Sequence, residues 1–272
     1  MKPLFMWAGG KNKMLKKYAP HLPKNFTRYV EPFFGGGAMF VWAYQKNPEA
    51  SFVLNDINTS IMGIYRAIRD DVDAFTTRVD DLSSNYLPKN KPDRKEYYYD
   101  LRLEHAYDYE KWNATTEAAT LYFLMKTGFN GIWQINKNTN NRFGTPSGLL
   151  NQKDKVYDID NVMEWHIALQ KCCLLSGDFS ETLGPENSDA FIFLDPPYRG
   201  SFTQYGVDFD DNLQRGVVNY LNKASATGAK VLMSNRDVGD GFFEELQGDN
   251  DMVYFDVTYT AGRRKKEEDG SH

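Results

Sequence analysis

The sequence predicts an α/β protein: a mostly parallel sheet whose chain is interrupted by one long insertion. Three observations point there. Residues 28–54 run strand, glycine turn, helix, strand, the opening unit of a parallel sheet. Short apolar runs return at 172–176, 191–194, 230–234 and 252–258, and helical stretches at about 210–225 and 239–247 separate the later ones. Between the two blocks, from about 70 to 155, the sheet pattern stops.

In chain order, Arg28-Tyr29-Val30-Glu31 is a short strand feeding Pro32-Phe33-Phe34-Gly35-Gly36-Gly37. Helix formers follow from Ala38 to about Gln45, and Ser51-Phe52-Val53-Leu54 is the next strand, with the acid Asp56 just beyond it. Residues 58–69 are helical, with Ile61, Ile64, Tyr65 and Ile68 on one face. The insertion begins with polar, tyrosine-rich helical stretches. It continues through 120–126 into a segment, 128–148, dense in Asn and Gly, which predicts a hairpin with a long loop. The expected organisation is one α/β domain from 1–69 and 156–272, with 70–155 inserted as a separate module.

Composition narrows the function classes. A chain with 41% hydrophobic and 25% charged residues is an ordinary soluble globular protein. No stretch approaches the roughly 18 apolar residues of a membrane span, and the first ten residues lack the apolar core of a secretory signal. An intracellular, cytoplasmic protein is expected, neither membrane-bound nor secreted. Cys172 and Cys173, adjacent on an apparent strand, point to opposite faces and read as buried thiols. The four histidines show no ligand spacing, so no metal is expected. A net charge of −5 argues against indiscriminate coating of nucleic acid. Local basic faces remain: Lys126, Lys137, Arg142, Lys153 and Lys155 stand against Asp154 alone, and Arg263-Arg264-Lys265-Lys266 forms a second cluster.

The residues with the most specific chemistry are Asp195-Pro196-Pro197-Tyr198, directly after the apolar run Phe191–Leu194. A buried strand ending in polar residues opens into a cleft at its carboxyl edge. There Asp195 offers a carboxylate acceptor and Tyr198 a face for stacking. Two prolines stiffen the turn and remove two N–H donors, so its backbone presents carbonyl acceptors. This suits holding a flat, amino-bearing ring while its exocyclic nitrogen attacks. Upstream, the glycine turn followed by Asp56 fits a nucleoside-containing cofactor, with Asp56 accepting from ribose hydroxyls. The six-residue dinucleotide fingerprint is absent. Asp178 and Phe179, in the turn after 172–176, stand where the cofactor base would lie; an ordinary turn accounts for them nearly as well.

Taken together, Trp7-Ala8-Gly9-Gly10-Lys11, Glu31 to Gly37, Asn55-Asp56-Ile57, Gly128-Phe129-Asn130-Gly131, Phe143-Gly144-Thr145-Pro146 and Asp195 to Tyr198 form an ordered set spanning nearly the whole chain. In that order it resembles the Dam-like DNA adenine-N6 methyltransferases, in which the cofactor motif precedes the recognition insertion and the catalytic motif follows it. The resemblance implies a Rossmann-like methyltransferase sheet, with 70–155 as the target-recognition module. It also implies S-adenosyl-L-methionine as donor, a flipped adenine in double-stranded DNA as target, and no obligate protein partner. Asp195, Pro196, Pro197 and Tyr198 would then be catalytic. Trp7, Lys11, Glu31, Phe33, Gly35, Gly37 and Asp56, with Asp178 and Phe179, would hold the cofactor.

Phe129 and Asn130 fall where the family inserts side chains beside the flipped base. Relatives that read GATC commonly carry arginine three residues after the equivalent of Gly131; this chain has Gln134. Arginine suits guanine and glutamine suits adenine, so the resemblance does not carry GATC specificity over to this chain. A cap on the hairpin is the competing role for Gln134. Lys137 and Arg142 are expected phosphate contacts. Three other functions stay open: cytosine-N4 methylation, usual with Ser in place of Asp195; protein-glutamine methylation, usual with Asn there; and a catalytically silent DNA-binding relative.

Overall fold

The computed structural model describes residues 1–7, 14–148, 155–200 and 209–256. They fall into two compact units, Met1–Val238 and the residues from 239 on. In the first unit the elements run α1 (Leu15–Tyr18), β1 (Arg28–Glu31), α2 (Ala38–Lys46), β2 (Ser51–Asn55), α3 (Thr59–Asp70), α4 (Val72–Tyr86), α5 (Lys91–Tyr107), α6 (Ala114–Thr127), β3 (Ile135–Asn136) and β4 (Arg142–Phe143). Then come α7 (Ile159–Leu169), β5 (Cys172–Leu175), β6 (Phe191–Leu194), α8 (Asp211–Ala226) and β7 (Lys230–Met233). The second unit contributes α9 (Phe242–Leu246).

The central sheet has five strands in the order β5-β2-β1-β6-β7, and every pairing is parallel. In register, Val30 lies beside Val53 on one side and Ile192 on the other. Strand alternation turns this register into two cores, one on each face. Tyr29, Phe52, Leu54, Phe191 and Phe193 face the larger core, together with α2, α3 and α7. Val30, Val53, Ile192 and Leu194 face α8, whose Val217, Tyr220 and Ala224 follow helical spacing. The larger core does not stop at the sheet domain. Phe75, Val79 and Leu82 of α4 and Tyr122 and Phe123 of α6 are buried in the same cluster as Ile61, Ile64 and Tyr65 of α3.

Side-chain caps set where the helices begin. Asn58, Asp71, Asn90, Asn113 and Asp210 each accept from a backbone N–H in the first turn of the helix that follows. The Asn/Gly-rich segment forms a two-stranded antiparallel hairpin, Ile135 opposite Phe143 and Asn136 opposite Arg142. Asn140 and Asn141 take positive φ in its loop, a conformation asparagine tolerates better than most residues.

Two expectations need correction, and one element was not expected. Residues 252–256 form no strand, and 257–258 lie outside the described residues; strand propensity becomes a strand only where a neighbouring backbone completes the ladder. Cys172 is buried but Cys173 is exposed, because the edge strand β5 turns alternate residues outward. The helix α7 has no counterpart in the sequence reading. Its apolar residues run around the whole circumference, Val162, Trp165 and Leu169 inward but Ile159, Met163 and Ile167 outward, which blurs the period.

Trp165 is the hub of the larger core. Its ring lies 5.2 Å from Phe40 and 5.3 Å from Tyr65, and its indole N–H donates to the Lys2 carbonyl at 2.8 Å. Trp165→Ala should lower unfolding free energy by about 3–5 kcal/mol, read as an earlier midpoint in urea.

Candidate active site

The sheet order places a topological switch point between β1 and β6: from β1 the chain first moves outward to β2, and it reaches β6 on the other side only later. Ligand crevices of open α/β sheets lie outside the carboxyl ends of strands at such a point. Glu31 ends β1 and Asp195 follows β6, while Asp56 follows β2 one strand away.

Asn55, fully buried at the end of β2, registers the turns around it. Its Nδ2 donates to the carbonyls of Pro32 at 3.0 Å and Gly177 at 3.1 Å, and its Oδ1 accepts from the Gly177 N–H at 3.1 Å. The Phe34 N–H donates to the Asn55 carbonyl at 2.8 Å. One amide therefore ties together the turns after β1 and β5. The result brings Phe33 onto Phe179 in a stacked pair, centroids 5.3 Å apart and planes 29° from parallel. Asp178 caps the short 3₁₀ turn Phe179–Thr182 by accepting from the Ser180 N–H at 2.9 Å.

In the glycine turn, Gly35 and Gly37 have φ of +48° and +69°, a region that L side chains rarely adopt. A Cβ on Gly35 would stand 2.5 Å from the Trp7 indole nitrogen, and one on Gly37 would stand 2.7 Å from Trp165. The close approach that these glycines permit is thus used by the protein's own indoles. The Gly35 N–H donates to Asp56 Oδ2 at 2.8 Å, and the Tyr65 hydroxyl donates to the Gly35 carbonyl at 3.0 Å. Asp56 Oδ1 accepts from the Asn58 N–H at 2.9 Å. Burial raises the Asp56 carboxyl above its usual range, and the two backbone donors offset part of that. Burial pushes the Glu31 carboxyl well up; the Tyr29 hydroxyl, donating at 2.7 Å, opposes this, and the neighbouring Asp195 and Asp56 add to it.

The Asp195–Tyr198 turn is held from the side of β7. The Ser234 N–H donates to the Leu194 carbonyl at 2.8 Å, and the Ser234 hydroxyl bridges Tyr198 at 2.7 Å and Tyr18 at 2.8 Å. The buried Gln214 of α8 donates to the Pro197 carbonyl at 2.8 Å, so of the two proline carbonyls this one is engaged inside the protein. Asn235 Nδ2 donates to Gln214 Oε1 at 2.8 Å, and Asn235 Oδ1 accepts from the Arg199 N–H at 3.0 Å.

Among the residues expected to meet DNA, Phe129 and Asn130 are exposed on a one-turn 3₁₀ helix after α6, with Asn130 at φ 53°. The Phe129 N–H donates to the Pro146 carbonyl at 2.8 Å. Gln134 and Lys137 are exposed at the start of the hairpin, and the Gln134 carbonyl accepts from the Gly144 N–H at 2.7 Å. Arg142 differs: its guanidinium pairs with Glu117 and lies 3.5 Å from the centre of the Tyr109 ring. Trp7 links the two regions, lying against the glycine turn and 6.1 Å from Trp133 of the hairpin segment.

Lys11 lies outside the described residues, as do Lys153 and the cluster Arg263–Lys266. No group of three or more metal-ligating side chains occurs among the described residues. Sequence reasoning missed Gln214, Ser234 and Asn235 and gave Asn55 no role. For Ser234 and Asn235 the usable signal was a polar pair just after an apolar strand at the sheet's carboxyl edge; a lone glutamine in a helix gives none.

A family model of D12 class N6 adenine-specific DNA methyltransferases matches residues 7–246. The type II methyltransferase M.MjaIII of Methanocaldococcus jannaschii is 31% identical over 261 residues, covering 92% of this chain and 89% of that protein. The retron Ec67 DNA adenine methylase of Escherichia coli is 28% identical over 240 residues, 87% of this chain and 78% of that one. The DNA adenine methylase of Vibrio cholerae is 28% identical over 241 residues, 85% and 80% of the two chains. With the Asp195–Tyr198 turn at the switch point of a parallel sheet, the chain belongs to the D12 class N6 adenine-specific DNA methyltransferase family, and its activity is methylation of adenine N6 in DNA.

Proposed function

We propose that this chain methylates an adenine extruded from double-stranded DNA, with S-adenosyl-L-methionine as donor, and that the Asp195–Tyr198 turn holds the target base. The observation that supports this most directly is the meeting of that turn and the glycine turn at one switch point. The neighbouring residues fit the donor's chemistry. Phe33 and Phe179 would flank its adenine ring, and Asp56, each of whose oxygens keeps a further lone pair, would accept from its ribose hydroxyls. Trp7, Lys11, Glu31, Gly35, Gly37 and Asp178 complete the proposed cofactor site. When bound, the donor supplies an electrophilic methyl group on a sulfonium.

The protein's own part is positioning. The N6 lone pair of adenine is delocalised into the ring, which makes the amine a poor nucleophile. The Asp195 carboxylate and the Pro196 carbonyl would accept the two N6 hydrogens and localise the lone pair on the nitrogen, out of conjugation with the ring, and N6 would give up one of those protons as it gains the methyl group. Tyr198 stacks on the base and offsets part of the few kcal/mol that extrusion costs. No covalent enzyme intermediate is needed, so alignment and fixed dipoles account for the rate.

Residues 70–155 act in this reading as the target-recognition module. Phe129 and Asn130 fill the gap beside the extruded base, Gln134 reads a base edge and Lys137 meets phosphate. Arg142, bound to Glu117, sets the angle of the hairpin instead of meeting the backbone of DNA. Both substrates are intracellular, as the protein then is; no helix among the described residues is long and apolar enough to cross a membrane.

Methylated-base mapping of DNA from cells expressing the chain tests the activity as a whole. Asp195→Ala should slow single-turnover methyl transfer by roughly 100- to 1,000-fold while cofactor binding survives; full methylation by this variant would remove Asp195 from the chemistry.

Asp56→Ala should weaken S-adenosyl-L-methionine by about 1–3 kcal/mol in calorimetry, with DNA affinity in the absence of cofactor unchanged. Unchanged cofactor affinity in a folded variant would exclude Asp56 from that site.

On a randomised duplex library, Gln134→Arg should move preference toward guanine at one position, by about 1–3 kcal/mol. Lys137→Ala should weaken binding to all sequences and reduce the salt slope by about 1. A base profile shared by wild type, Gln134→Arg and Gln134→Ala would make Gln134 a hairpin cap.

A further inference from the structure

We infer that Gln214 and Asn235 are positioning residues for methyl transfer: a two-amide relay, rooted in the buried Gln214, that fixes the backbone on both sides of Tyr198. This rests on the reading that the Asp195–Tyr198 turn holds the target adenine. The turn has an anchoring problem of its own making. Pro196 and Pro197 have no N–H to donate, so at these two residues the backbone is held through its carbonyls. A donor must therefore come from elsewhere in the protein, and Gln214 supplies it.

The polarity of the relay is fixed by its ends. The Pro197 carbonyl accepts only, so Gln214 must present Nε2 to it, at 2.8 Å. That directs Gln214 Oε1 to Asn235, whose Nδ2 donates at 2.8 Å. Asn235 Oδ1 is then left to accept from the N–H groups of Arg199 at 3.0 Å and Arg236 at 2.8 Å. A flip of either amide would set acceptor against acceptor or donor against donor. The two backbone anchors, Pro197 carbonyl and Arg199 N–H, stand on either side of Tyr198, and the Ser234 hydroxyl holds the ring's far end.

The base of the relay is rigid. Gln214 is fully buried in the first turn of α8, which Asp210 caps by accepting from the Leu213 N–H at 2.9 Å. Arg199 adds a two-point ion pair to Asp211 of the same turn, 2.7 and 2.8 Å. Asp211 is held below the usual carboxylate range by that arginine, so it stays ionised at neutral pH. None of the relay contacts involves the glycine turn, Asp56 or the Phe33–Phe179 pair. Its loss should therefore act on the transfer step and leave cofactor affinity intact.

The test uses the full chain, S-adenosyl-L-methionine and a duplex with a mapped methylation site. Gln214→Met keeps the shape and removes both hydrogen bonds. Single-turnover transfer should slow by about ten- to hundredfold, as for loss of these two hydrogen bonds and a small misplacement of the base, with cofactor affinity unchanged. Gln214→Glu supplies the signature that a merely structural role would lack. In its acid form the carboxyl can donate to Pro197 and accept from Asn235; ionised, it repels the Pro197 carbonyl. Its rate relative to wild type should recover as pH falls, whereas that of Gln214→Met should not. Asn235→Ala, at a partly exposed position, gives a second route if the buried substitutions prevent folding, and it should slow transfer in the same way.

Asp195→Ala separates this proposal from the reading beneath it. Wild-type rates in Gln214→Met or Asn235→Ala, or a Gln214→Glu profile parallel to wild type, would overturn the relay while an inactive Asp195→Ala left the turn's role standing. An active Asp195→Ala would overturn both.

Discussion

The site depends on one buried amide. Asn55 sits at the end of β2, and its side chain bonds to the turns that leave β1 and β5. Parallel strands fix the positions of strand ends but not the paths of the turns beyond them; here a side chain does that. Removing it would leave the Pro32 carbonyl and both polar groups of Gly177 without this partner inside the protein. For the buried Pro32 carbonyl such a loss costs about 1–3 kcal/mol, comparable to or above the roughly 0.5–1.5 kcal/mol an aromatic pair adds beyond its area burial. A mirror arrangement holds the other side of the switch point, where Ser234, Asn235 and Gln214 bond to the turn after β6. In both places a polar side chain just beyond or beside a strand end does what the ladder cannot.

The β3–β4 hairpin is fixed from the helices beneath it. Arg102 donates to the carbonyls of Gly144 and Thr145 at 2.9 and 3.0 Å, and the Tyr98 hydroxyl donates to Thr145 at 2.9 Å. Arg142 adds its ion pair to Glu117 and its stacking on Tyr109. His105 lies beside the same Glu117, but burial pushes its imidazole down to about 3, and the Arg142 charge acts in the same direction. It is neutral at physiological pH and so adds no charge beside the Arg142–Glu117 pair. An ion pair of this kind, half shielded from water and tied to an aromatic face, constrains geometry better than an exposed pair would.

Much of the fold was legible in the sequence because two patterns were clean. Beyond its exposed first residue, the run Ser51 to Asn55 is buried on both faces, as a central parallel strand is, and the stripe Ile61, Ile64, Tyr65 and Ile68 buries one face of α3; each was read to within a residue or two. α7 was not legible, since Ile159, Met163 and Ile167 are exposed on the side where polar residues were required. The strand expected at 252–258 failed for a different reason: composition reports propensity, and pairing depends on a neighbour that composition does not name. In the site, motifs exposed the residues proposed to touch ligands, such as Asp195, Tyr198 and Asp56. They did not expose the residues that hold those in place. Gln214 is fixed by its distance to a carbonyl 17 positions earlier in the chain, and nothing local in α8 signals it.

The glycine turn shows how the two kinds of information combine. Read as sequence, Gly35-Gly36-Gly37 makes room for a ligand. In the structure Trp7 and Trp165 fill the space a Cβ would need, at 2.5 and 2.7 Å. The glycines are thus required by packing before any ligand arrives, and alanine at either position would meet both a steric clash and a positive φ. Trp7 gains a second neighbour from this, Trp133, at 6.1 Å. The segment that covers the glycine turn therefore also touches the hairpin segment, and neither can shift far without the other. A turn that sequence reasoning assigns to one substrate is thereby in contact, through Trp7, with the element assigned to the second, because Gly35 and Gly36 leave an indole room to lie against the backbone.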